Sequence, residues 1–127
     1  SKFFNGGNVP TKLIIAGGRD FTNYAMAEEK INQILLNVDY AKLEIVSGGA
    51  RGADKLGDRF AKEYDIPIKH FIPDWDGLGK RAGMVRNKDM AEYATHLVAY
   101  WNGESRGTKN MIQEARSLDL KVRVVRY

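Results

Sequence analysis

Apolar residues along this chain fall into two alternating rhythms. Short continuous apolar runs, such as KLIIA at 12–16, LEIVS at 43–47 and HLVAYW at 96–101, read as strands buried on both faces. IKHFI at 68–72 and VRVVRY at 122–127 complete a set of five predicted strands. Between them apolar residues recur every three or four positions, the period of an amphipathic helix. Ile31, Ile34, Leu35 and Val38 mark the first such helix, EEKINQILLNV at 28–38, with Thr22 or Asn23 as its cap. Ala53, Leu56, Phe60, Ala61 and Tyr64 share one face of the second. A helix over 80–94 follows the loop PDWDGLG, and Met111, Ile112, Ala115 and Leu118 mark the last.

Strands alternating with helices of this length predict βαβ units: an α/β, three-layer Rossmann-like domain with a parallel sheet and helices on both faces. Right-handed crossovers give the expected strand order 3-2-1-4-5, reversing between strands 1 and 4. With 127 residues the chain accommodates one core. The domain is expected over 12–127, with 1–11 as an N-terminal extension.

Composition narrows the function without naming it. The chain holds no cysteine, which excludes disulfides and thiolate metal sites and points to a reducing, cytoplasmic setting. No apolar run reaches the ~18 residues of a membrane helix, and SKFFNGGNVPTK lacks the apolar centre of a secretory signal. A net charge of +4 permits nucleic-acid binding without arguing for it.

In a doubly wound sheet, ligands bind beyond the carboxyl ends of the strands, near the order reversal. The loops expected there are GGRDF at 17–21, SGGARGAD at 47–54, PDWDGLGKRAG at 73–83 and NGESRGT at 102–108. Three join glycines to an arginine ahead of a helix, and the other carries Lys80 and Arg81. Glycine lets the backbone approach a ligand, unpaired N–H groups of the next helix attract an anion, and arginine matches phosphate oxygens with a planar fork. One such turn can be a plain tight connection; several converging on one edge predict a phosphate cradle. Gly17, Gly18, Gly48, Gly49, Gly52, Ser105, Gly107 and Thr108 are its candidate backbone, and Arg19, Arg51 and Arg86 its candidate charges. Arg86 shares a helical stripe with Ala82 and Met90, so it points inward and needs either a carboxylate or a ligand.

Asp20, Asp54, Asp74 and Asn87 are candidates to orient sugar hydroxyls or base edges, although a carboxylate in a helix's first turn, like Asp54, also stabilises the helix dipole. Trp75 could stack on a base. The P-loop pattern fails, because Asp74 occupies its first glycine position and Arg81 follows Gly79-Lys80. The dinucleotide fingerprint fails at both Gly-Gly turns. His70 and His96 read as structural, and no metal site is expected beyond magnesium accompanying a ligand's phosphates.

Taken together, GGRDF, GGARGAD, the Asp74-Trp75 pair, GKRAGMVRN at 79–87 and the Ser105–Ala115 pattern S-x-GT-x-x-M-I-x-x-A resemble the SLOG superfamily, in particular its small YspA-type, YpsA-related branch. The superfamily takes its name from the Smf/DprA DNA-processing proteins and the Lonely Guy enzymes. The resemblance implies a Rossmann-like fold, a nucleotide-like ligand and a homodimer. In its best-understood enzymes an arginine and a glutamate cleave the N-glycosidic bond of a nucleoside monophosphate. Here the stretch Glu104–Met111 keeps the Gly107-Thr108 turn but lacks the second glycine and the acidic residue of that motif. The expectation is therefore a nucleotide-binding sensor or sequestering module. A phosphoribohydrolase using Arg86 with Asp20 or Glu104 is the enzymatic alternative, and single-stranded DNA binding is the third class.

Overall fold

The computed structural model describes residues 9–127. Five parallel strands form one sheet in the order β3-β2-β1-β4-β5. They are β1 (Thr11–Gly17), β2 (Leu43–Ser47), β3 (Ile68–His70), β4 (His96–Trp101) and β5 (Lys121–Arg126). The helices are α1 (Tyr24–Ile34), α2 (Ala53–Glu63), the single turn α3 (Trp75–Leu78), α4 (Ala82–Tyr93) and α5 (Arg106–Ser117). This is the α/β architecture and strand order that the alternating rhythms predict.

Strand β1 sits at the centre, and its side chains serve both layers because successive residues point to opposite faces. Leu13 and Ile15 pack with Ala27, Ile31, Phe60 and Ala61 of α1 and α2. Ile14 and Ala16 pack with Met90, Ala91, Met111 and Ile112 of α4 and α5. Leu13, Ile14 and Ile15 are fully buried, which is why the central strands read as continuous apolar runs. The largest buried polar side chain, Tyr100, donates its hydroxyl hydrogen to the Ala27 carbonyl at 2.9 Å, so its burial leaves no orphaned group.

Element ends depart from the expectation in four places. Helix α1 begins at Tyr24, not 28, because the Asn23 side chain accepts the Met26 N–H at 3.1 Å and starts the helix there. It ends at Ile34, while Val38 reaches the core from the turn beyond. Strand β3 stops at His70 rather than 72, since it pairs with β2 alone and Pro73 follows soon after. The helix expected over 80–94 divides into α3, a tight turn at Gly79–Arg81 and α4; the left-handed Gly79, at φ +60, is the break. Thr11 belongs to β1 and so lies inside the domain; the rest of the expected extension, apart from exposed Val9 and Pro10, lies outside the described residues.

Candidate functional site

Strands β1 and β4 pair in register up to Gly17 opposite Tyr100, and beyond that point their chains diverge. The β1 chain turns back toward α2: the Gly18 N–H bonds the Tyr100 carbonyl at 3.0 Å, and the Gly18 carbonyl accepts the Ala53 N–H at 3.2 Å. The β4 chain runs the other way into α5. A cavity of about 520 Å³ opens in the resulting crevice. It is the place that the order reversal assigns to a ligand.

One wall of the cavity carries Gly18, Arg19, Asp20, Ala50, Asp54 and Arg86. The opposite wall carries Asn87, Asn102, Ser105, Gly107 and Thr108 from the start of α5 and its neighbours. The buried side chains of Met90 and Met111, with Ala16, form an apolar floor, and Trp75, Lys80 and Met84 stand at the rim. A second, smaller cavity of about 310 Å³ adjoins it, lined by Gly48, Gly49, Arg51, Ile72 and Pro73. Arg19, Ala50, Trp75 and Arg86 line both.

Arg86 is the centre of this arrangement. Its Nη1 donates to the Gly48 carbonyl at 2.8 Å, and its Nε to Asn87 Oδ1 at 3.0 Å. Asn87 is itself fixed, because its Nδ2 donates to Asn110 Oδ1 at 2.9 Å and to the Gly107 carbonyl at 3.2 Å. The guanidinium therefore bridges the β2 loop and the α5 turn. It makes no direct ion pair among the described residues, and its Nη2 has no partner there. Burial lowers its pKa, a shift that the nearby Asp54 carboxylate opposes. A side chain at Gly48 would place its Cβ 2.3 Å from Nη1, so glycine there leaves the room that the guanidinium fills.

Asp54 is only 5% exposed. Its Oδ2 accepts the Ala50 N–H at 3.1 Å, closing the Gly48–Ala50 turn. Burial pushes its pKa up to about 6, against the pull of the Ala50 amide and the Arg86 charge. The helix-dipole role expected of Asp54 and a ligand role thus meet in one residue.

The remaining candidates divide. Ser105 caps α5, its Oγ accepting the Thr108 N–H at 3.3 Å, while Arg106 and Gly107 come next in the chain with no capping bond to their amides among those resolved. Asp20 lines the cavity and accepts the Tyr127 hydroxyl hydrogen at 2.5 Å, with burial and Asp20 together raising the Tyr127 pKa to about 12. Three candidates line neither cavity. Gly52, left-handed at φ +73, is packed so that a Cβ would lie 2.2 Å from the Gly18 carbonyl oxygen. Asp74 caps α3 through Gly77 N–H at 2.9 Å. Glu104 is exposed on the loop that Asn102 braces.

The structure also adds residues that the sequence did not single out for the site. Asn102 follows from its place just past β4. Met84, Met90 and Met111 carry only a helical period, which is the same for core and cavity floor. Tyr127 meets Asp20 across the fold, and nothing local signals that contact. His96 stands at the opposite edge, its pKa lowered by burial, and Trp101 Nε1 is occupied by the Ser105 carbonyl at 3.1 Å.

The fold and its crevice define a Rossmann-like α/β domain. Residues 11–77, a little over half of the chain, match the model of the YspA, cpYpsA-related SLOG family, and the protein belongs to that family. It is 29% identical over 117 residues to the Gene 61 protein of Mycobacterium phage D29, spanning 87% of this chain and 93% of that protein. It also superposes on the X-ray structure of DNA processing protein A (DprA) from Streptococcus pneumoniae with a TM-score of 0.69. At 20% identity that likeness shows the fold; it covers 94% of this chain and 51% of the DprA chain, about half its length.

Proposed function

We propose that the domain binds a phosphorylated nucleotide or nucleotide derivative at the carboxyl edge of its sheet, as a sensor or sequestering module. The observation that carries this reading is the Arg86 guanidinium: two of its nitrogens are held by protein, and the third has no partner while its side chain lines the cavity. A preorganised fork of this kind suits phosphate oxygens. Arg19 and Arg51 add charge, Gly17, Gly18, Gly48, Gly49, Ser105, Gly107 and Thr108 supply the surrounding backbone, and Asp20, Asp54, Asn87 and Trp75 face sugar and base. Gly52 supports the cradle from behind. Magnesium enters this reading only with the ligand's phosphates; among the described residues no group of three His, Cys, Asp or Glu side chains could hold an ion alone.

A thermal-shift series tests the proposal. Nucleotides should raise the melting temperature and their parent nucleosides should not; equal shifts would remove phosphate from the recognition.

The buried carboxyl of Asp54 beside Arg86 favours a second reading, an N-glycosidase acting on nucleoside monophosphates. Of its previously considered acids, Asp20 lines the cavity and Glu104 does not. Release of free base from nucleoside monophosphates would establish it. Likeness to DprA keeps single-stranded DNA in view, and a salt-sensitive gel shift is its test. A cytoplasmic homodimer completes the proposal. No helix among the described residues is long and apolar enough to cross a membrane. Light scattering that returned only a 14.3 kDa species would reject the dimer.

A further inference from the structure

The two cavities meet along a ridge, and that ridge is where the charge lies. Arg19 and Arg86 line both, together with Ala50 and Trp75. A phosphate bound to the ridge would have organic space on either side. On one side lies the 520 Å³ cavity, with its thioether floor and the side chains of Asn87 and Asn102. On the other lies the 310 Å³ cavity, walled by Pro73 and by Ile72, an aliphatic side chain that stands 70% exposed beside an arginine-bearing turn. A nucleoside monophosphate fills one side of such a ridge and ends there. It leaves Ile72 wet and the second cavity unused.

We infer that the ligand is a two-headed phosphate ester, in which two organic groups joined through a phosphate or diphosphate straddle the Arg19–Arg86 ridge. This rests on the phosphate reading of the site and adds to it a second head. The larger cavity takes the nucleoside, because its amides and carboxylates can pair with sugar hydroxyls and a base edge. The smaller takes a compact sugar or base against Ile72, with Trp75 in reach of either head. The linking phosphate faces the free Nη2 of Arg86. Two guanidinium groups beside each other repel, as the effect of Arg19 on Arg86 shows, and a bridging anion relieves that repulsion.

Calorimetric titration with adenosine diphosphate, ADP-ribose and diadenosine diphosphate tests the inference, with a uridine series alongside. The two-headed compounds should bind about tenfold or more tightly than the diphosphate with the same base, the scale expected for burying one further aliphatic contact. Ile72→Asn should erase that difference while the diphosphate binds as before; its exposure makes the substitution safe for folding. Equal affinity for one- and two-headed compounds would overturn the inference and leave phosphate binding standing. So would a preference that survives Ile72→Asn, or tighter binding of a single-stranded oligonucleotide than of any two-headed small molecule. Failure of every phosphate compound to bind would bring down the phosphate reading itself.

Discussion

At the scale of single residues, Arg86 and Asp54 decide what the cleft can do. Arg86 is half-buried and held by two neutral acceptors, so its charge is stabilised less than a carboxylate would stabilise it. Arg86→Met keeps much of the volume and should leave the melting temperature of the free protein nearly unchanged or slightly raised. Nucleotide affinity should fall by roughly 10- to 150-fold, the equivalent of a lost charge-assisted hydrogen bond of ~1.5–3 kcal/mol. Calorimetry on the folded variant is the check, and undiminished affinity would take Arg86 out of the site. Asp54 acts in the opposite sense. Its folded-state pKa of about 6 lies above the ordinary 3.8, so between those values the folded protein holds a proton that the unfolded chain has lost. Its contribution to stability is therefore present at low pH and declines as pH rises through the window from about 4 to 6. Asp54→Asn keeps an acceptor for the Ala50 amide without the buried charge. It should stabilise the free protein at pH 7.5 by roughly 1–3 kcal/mol and flatten that part of the pH dependence. Urea titrations of both proteins at pH 4.5 and 7.5 measure this; a parallel pH response would assign the slope to other groups.

Elements carry the site by where they begin. Helices α2, α4 and α5 all start at the carboxyl edge, and the first turn of each contributes to the cleft: Asp54, Gly83 with Arg86, and Gly107 with Thr108. Ser105 sets the start of α5, so Ser105→Ala should cost about 1 kcal/mol and lower the melting temperature by several degrees. An unchanged melt would show that the Asn102 brace, which accepts the Ser105 N–H at 2.9 Å, fixes this turn by itself. Elements were also the most legible level of the sequence. β2 and β4 have the predicted ends because their apolar runs are buried on both faces and stop at polar turns. α1 and the α3–α4 break were misplaced because caps and a left-handed glycine, not periodicity, set those boundaries. At the site, Arg19, Arg51 and Arg86 were legible from the loops that follow strands. Asp74 was not separable from a ligand residue, since a helix cap and a sugar-binding carboxylate use the same side chain in the same kind of loop. The Tyr127–Asp20 bond and the methionine floor depend on which layers meet, which no local pattern encodes.

The whole molecule leaves two sheet edges unpaired, and it protects them differently. β3 is three residues long and its edge ends near Pro73, so it offers little to another strand. β5 has six residues, KVRVVR, and pairs with β4 alone. Its exposed positions carry Lys121, Arg123 and Arg126, and two copies brought edge to edge would set these cations against one another. A homodimer of this protein would on this ground use helix faces and leave β5 solvated. Replacing Lys121 and Arg123 with valine should reveal the protection. The strand would keep its fold, because valine favours extended backbone, while its sequence would become a run of five valines on an open edge and the formal net charge would fall by two from +4. Light scattering over a concentration series should show a constant mass for the native protein and a rising mass for the double variant. Lys121→Thr with Arg123→Gln removes the same charge without adding apolar surface. If that polar pair associates as readily as the valine pair, charge repulsion is the guard; if it stays at constant mass while the valine pair grows, apolar exposure is what the cations prevent. A valine variant whose mass never changes would mean that β5 needs no guard, and that the twist of the sheet alone keeps its edge from pairing.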